Sequence, residues 1–115
     1  MSSLLSDGKC VPCEGGIPPI QGARLDEYKK KLDTEAPGWE LRDAKHLQKD
    51  FKFKDFKNAL EFVNKVGEIA EASMHHPNIE FGWGFVKILL WTHAIDGLSE
   101  NDFVLAAKIN SVIDR

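Results

Sequence analysis

Residues 77–92 read PNIEFGWGFVKILLWT, and two alternating runs stand on either side of a pair of glycines. Ile79, Phe81 and Trp83 alternate with polar or small residues, and Val86, Ile88, Leu90 and Thr92 alternate after them. A period of two marks a strand with one buried face. Gly82 and Gly84 bracket a tight turn, so the stretch predicts a β-hairpin. Pro77 disfavours helical geometry at His76 and ends whatever helix comes before it.

Upstream of this hairpin, Asp55 can cap a helix with the apolar stripe Phe56, Ala59, Leu60, Val63, Val66 and Ala70, ending near His75. Earlier still, WEL and LQKDFKF suggest two strands, with Leu47, Phe51 and Phe53 on one face. Arg24 to Glu35 places Leu25, Tyr28 and Leu32 on one face of a first helix, stopped by APG. Downstream, Ser99 is an N-cap, Asp102 takes the capping-box position and Leu98 can staple onto Phe103. The stripe of this last helix continues through Ala106, Ala107 and Ile113. The order α-β-β-α-β-β-α has no βαβ rhythm. It predicts an α+β fold, a four-stranded antiparallel sheet with three helices packed on one face.

A chain of 115 residues with 43% hydrophobic and 29% charged residues is one globular domain with a real core. Its formal charge of −3 gives no reason to expect nucleic acid as a partner, and Lys29-Lys30-Lys31 reads as the wet face of a helix. No run approaches the ~18 apolar residues of a membrane span, and MSSLLSDGKC lacks the pattern of a secretory signal. A cytoplasmic address is expected, or an organelle if a targeting segment has been removed. Residues 1–23 are rich in Gly and Pro and read as an irregular arm before a domain over 24–115. The arm carries Cys10 and Cys13 as CVPC. No second pair completes a zinc site and no strand precedes it, so the two are expected to be thiols in a loop.

The chemistry concentrates in EASMHHPNI, residues 71–79, and in the distant His93. On a helix, Glu71 and His75 share a face, so the carboxylate can orient the imidazole. His76, extended by Pro77, leaves in another direction, and the two imidazoles can flank one pocket. His93 falls near the end of the hairpin's second strand, on the face of Leu89 and Trp91 if alternation persists. Three imidazoles and a carboxylate suit proton transfer near neutral pH. The plainer alternatives are a cation at a helix C-terminus, a polar strand end and a simple cap at Asp102. Adjacent histidines chelate a metal poorly and neither H-E-x-x-H nor H-x-H spacing is present, so no metal is expected. His46, before a strand and outside this cluster, is expected to be dispensable to it.

These residues resemble the pterin-4a-carbinolamine dehydratase family. Its signature is an acidic residue, three positions, His-His-Pro, an aromatic six on, a histidine ten later and an aspartate nine later. Glu71, His75-His76-Pro77, Trp83, His93 and Asp102 keep every spacing. GWELRD, FKFKDF and GLSENDF also resemble the family, over about Arg24 to Arg115.

The resemblance implies dehydration of a 4a-hydroxytetrahydropterin to a quinonoid dihydropterin, in recycling of the pterin used by aromatic amino acid hydroxylation. It implies no cofactor, with His75 and His93 as the acid/base pair, Glu71 orienting and His76 holding the pterin substrate. Trp91, Thr92 and Ala94 flank His93 where the family contacts pterin, Trp83 and Trp91 can wall the ring, and Asp102 belongs to the signature. One position departs from the family. Met74 stands where relatives often have Asn or Asp, so a hydrogen bond from that position to the pterin is lost. The family's fold is a four-stranded antiparallel sheet with three helices on one side. Its members are commonly tetramers, so a homo-oligomer, dimer or tetramer, is implied. An alternative is a non-catalytic interaction module, since in animals a relative serves as dimerisation cofactor for a transcription factor. The CVPCEGG arm looks more like the bacterial, plant and protist branch.

Overall fold

The computed structural model describes Leu5 and residues 18–113; Cys10 and Cys13 lie outside the described residues. The expected order holds: α1 (Gly22–Glu35), β1 (Glu40–Arg42), β2 (His46–Lys52), α2 (Phe56–Ser73), β3 (Asn78–Gly82), β4 (Phe85–Leu90) and α3 (Glu100–Ile113). A short 3₁₀ turn at His93–Ile95 separates β4 from α3. The first helix begins at Gly22, two residues ahead of the expected start.

The strands form one sheet in the order β1-β2-β4-β3 with every neighbouring pair antiparallel. The hairpin β3–β4 turns through Trp83 and Gly84, closing on the pair Gly82↔Phe85. Gly84 takes φ +82, a left-handed conformation that glycine adopts without a Cβ penalty. Leu47 and Phe51 of β2 and Val86, Ile88 and Leu90 of β4 point to one face, buried beneath the helices. Full burial of such a side chain contributes roughly 1.5–3 kcal/mol relative to exposure. The opposite face carries His46, Gln48, Asp50, Lys87 and Leu89, as the period of two requires.

Helix α2 packs on this sheet through Ala59, Phe62, Val66 and Ala70. That stripe differs from the expected one, because Phe56 and Leu60 face outward, 46% and 37% exposed, and Phe62 fills the core instead. Phe62 meets both Phe51 and Phe53, at ring separations of 4.7 and 5.2 Å. The expected Asp55 cap is formed, its carboxylate accepting the Asn58 backbone N–H at 2.9 Å. Tyr28 of α1 packs on Phe103 of α3, which is fully buried with Leu98 beside the start of that helix. Trp39, also buried, donates its indole N–H to Asn110 Oδ1 at 3.1 Å, tying the entry to β1 onto α3.

Candidate functional site

Two helix ends and one strand end converge beside the sheet. Helix α2 stops at Ser73, two residues earlier than expected, because Met74 is left-handed at φ 55, ψ 34. The Met74 and His75 N–H groups both donate to the Ala70 carbonyl, satisfying an end that would otherwise be orphaned. The left-handed residue turns the chain, so His75 no longer lies over the preceding turn of α2. Its ring reaches α3 instead, where Nε2 sits 2.6 Å from Asp102 Oδ1. Glu71, expected to orient His75, is paired with His76 at 2.7 Å.

The two pairs differ in setting. The Asp102 carboxylate is wholly buried and His75 only 11% exposed, whereas His76 and Glu71 are 59% and 78% exposed. Asp102 Oδ2 also accepts the Ser99 backbone N–H at 2.9 Å and the Thr92 hydroxyl at 2.8 Å. One carboxylate therefore supplies one half of the expected capping box and grips His75. A carboxylate only accepts, so His75 Nε2 is the donor in this pair, which leaves Nδ1 as the nitrogen available to other chemistry. Ser99 does not turn its hydroxyl onto the helix; its Oγ lies 2.8 Å from Thr92 Oγ1.

Strand β4 ends at Leu90, and Thr92 pairs with Gly97 across a short loop. Strand alternation therefore stops before His93, which opens the 3₁₀ turn rather than continuing the strand. Its ring stacks on the Trp91 indole, 4.2 Å between centroids and 24° between planes. Trp91 in turn receives the edge of His46 at 4.8 Å and 90°. His46, expected to stand apart from the cluster, is joined to it. Gly97 is held close to Pro19, since a Cβ there would lie 2.7 Å from Pro19 Cβ. The Ile20 N–H donates to the Leu98 carbonyl at 2.8 Å beside that contact.

A cavity of about 270 Å³ is lined by Met74, His75, His76, Trp91, Thr92, His93, Ala94 and Asn101. All three imidazoles of the motif thus face one space. Asp102 lies behind His75, and Glu71 holds His76 from the solvent side. Trp83 is not among the residues that line this cavity. It sits at the hairpin turn and is 72% exposed, at the far end of the five-residue strand β3. At about 3.3 Å per residue that is roughly 16 Å from Asn78. Asn101 and Ser99 were missed as site members, although the capping signal at Ser99 marked the turn that carries both.

The description "Pterin 4 alpha carbinolamine dehydratase" belongs to the family model that matches residues 22–112. A Rubrobacter xylanophilus protein is 51% identical over 108 residues, covering 94% of this chain and 97% of its own. A Rickettsia canadensis protein is 47% identical over 111 residues, covering 96% and 99%. Both are named "Putative pterin-4-alpha-carbinolamine dehydratase". A transcriptional coactivator/pterin dehydratase from Brucella melitensis superposes with a TM-score of 0.72 at 30% identity, over 82% of this chain and 97% of that one. A pterin dehydratase-like RuBisCO assembly factor of the alpha-carboxysome shares the fold, with a TM-score of 0.58 at 24% identity over 68% and 92%. With a family match across most of the chain and relatives aligned over nearly their whole length, the chain belongs to the pterin 4 alpha carbinolamine dehydratase family, a family of hydro-lyase enzymes.

Proposed function

We propose that this chain dehydrates a 4a-hydroxytetrahydropterin to the quinonoid dihydropterin, with His75 and His93 as its proton carriers. The carrying observation is the convergence of His75, His76 and His93 on one cavity, with a buried carboxylate behind His75. In the reaction the C4a–O bond breaks, the hydroxyl leaves as water with an added proton, and N5 gives up its proton as the N5=C4a bond forms. Such a step needs one base and one acid at opposite ends of a short path.

His75 is the base. Its Nδ1 lone pair takes the N5 proton, and Asp102 stabilises the imidazolium that results. His93 is the acid that protonates the departing hydroxyl. Asp102 takes over the orienting role that the sequence suggested for Glu71, and Glu71 fixes His76 against the substrate. Met74, Trp91, Thr92 and Ala94 form the surrounding wall.

The same reading places the enzyme in recycling of the pterin consumed by aromatic hydroxylation, in the cytoplasm and as a homo-oligomer. Self-association is supported by the outward Phe56 and Leu60 and by β1 and β3, which are the edge strands of the sheet among the described residues. A second reading, an assembly module without turnover, is suggested by the coactivator and assembly-factor roles given to the two structural neighbours, the first of which is also described as a pterin dehydratase.

One assay separates the two. A freshly generated 4a-hydroxytetrahydropterin is followed with and without micromolar protein, against its spontaneous loss of water. Clear acceleration by the parent chain, lost in His75→Ala and His93→Ala, supports the enzyme. No acceleration by the folded parent chain leaves the assembly module.

A further inference from the structure

His75 and His76 are each held by a carboxylate, but the His93 ring has no hydrogen bond or ion pair among the described residues. What holds it is the face of Trp91, 4.2 Å away. His93 is otherwise exposed, on a one-turn segment whose backbone is fixed by Thr92 and Gly97. Its rotamer therefore depends on where the indole stands.

The indole is placed by β2. Strand register pairs Leu47 with Leu90, the immediate neighbours of His46 and Trp91, which brings these two side by side. The His46 ring meets the indole edge to face at 4.8 Å and 90°, the geometry that an aromatic quadrupole favours. The residue before it reaches the same turn, because Lys45 Nζ lies 3.2 Å from Asp96 Oδ2. The start of β2 is thus built against the turn that carries His93.

We propose that His46 is a positioning residue for the dehydration, holding Trp91 so that its face fixes the His93 ring toward the cavity. This rests on His93 acting as a proton carrier. His46 is absent from the residues that line the cavity and acts only through Trp91. Its contribution is one aromatic contact, so its loss reduces kcat by roughly two- to tenfold with KM little changed. An aromatic ring at position 46 suffices, whatever its charge.

The test compares parent, His46→Ala and His46→Phe for kcat and KM, with the His93 side-chain proton shifts read by NMR. Stacking on an indole displaces those shifts from free histidine values. His46→Ala is expected to lower kcat, leave KM, and move the His93 shifts toward free histidine while the His75 shifts stay. His46→Phe is expected to restore both. Equal kcat and unchanged His93 shifts in His46→Ala would overturn the proposal, as would failure of His46→Phe to restore them. If both variants misfold, through-space proton contacts from His46 to Trp91 and from Trp91 to His93 in the parent decide, and their absence overturns it. If the folded parent has no turnover, the catalytic reading fails and the proposal with it as a statement about dehydration. The NMR comparison then still decides whether His46 orders His93.

Discussion

Replacing Asp102 by Asn changes one atom in a fully buried group that receives three donors, from His75, Thr92 and Ser99. The Ser99 N–H can only donate, and the Thr92 hydroxyl can reverse, so the asparagine keeps its oxygen toward them. Its NH₂ then faces His75 Nε2, which must present a lone pair. The proton moves to Nδ1, and the base is lost in the tautomer that remains. In the serine-protease triad the equivalent exchange lowers kcat by about 10⁴. A loss of about 10²–10⁴ is therefore expected here. Stability should fall by roughly 1–3 kcal/mol, because charge-assisted bonds become neutral ones inside the protein. Turnover of a freshly generated 4a-hydroxytetrahydropterin, urea unfolding and nitrogen-15 shifts of His75 measure the three effects. A folded Asp102→Asn protein within threefold of the parent kcat would refute the tautomer reasoning.

Met74→Asn should stabilise the fold by roughly 0.5–1 kcal/mol, since Met74 holds φ 55 with a side chain 77% exposed and Asn tolerates that conformation better. A lower urea midpoint in both Met74→Asn and Met74→Gly would remove that strain argument. His75→Ala and His93→Ala should each cost about 10²–10⁴ in kcat, and the double variant little more than the worse single, as members of one unit fail together. Strictly additive losses would make them independent. The Asn58 backbone N–H, with its side chain adding to it, holds the Asp55 carboxyl below its usual range. A depressed folded value means the cap stabilises fully above about pH 4 and loses its effect as pH falls through that value. The melting-temperature gap between parent and Asp55→Ala should therefore close on acidification; a gap that stays constant down to pH 2 would mean that the carboxylate charge is irrelevant.

Local rules carried most of the fold. The Asp55 cap, the Asp102 half of the capping box at Ser99 and the glycine-flanked hairpin are contained in a few neighbouring residues, and each is formed. The site was legible where it depended on residue type and illegible where it depended on direction. Pairing Glu71 with His75 assumed that helical geometry reached His75, and a left-handed Met74 ends the helix first. Trp83 keeps the family spacing, yet spacing counts residues and the hairpin carries position 83 to the other end of the sheet. The contact of His46 with Trp91 is set by the β2–β4 register, which joins residues 45 apart in sequence and leaves no local trace. Phe62 rather than Phe56 enters the core because the sheet selects the face of α2 that meets it.

Asp102 is at once the bracket of a helix start and the anchor of an imidazole, and this couples two equilibria. The first turn of α3 can fray only by releasing the Ser99 amide, and the same event frees the carboxylate that holds His75. The fraction of molecules fit to accept a proton is then bounded by the opening constant of that turn. If opening costs only about 1.4 kcal/mol, roughly one molecule in ten stands unprepared at any moment. Exchange of the Ser99 amide with deuterium would report this population directly. Osmolytes that tighten the helix start would then raise turnover without touching the cavity.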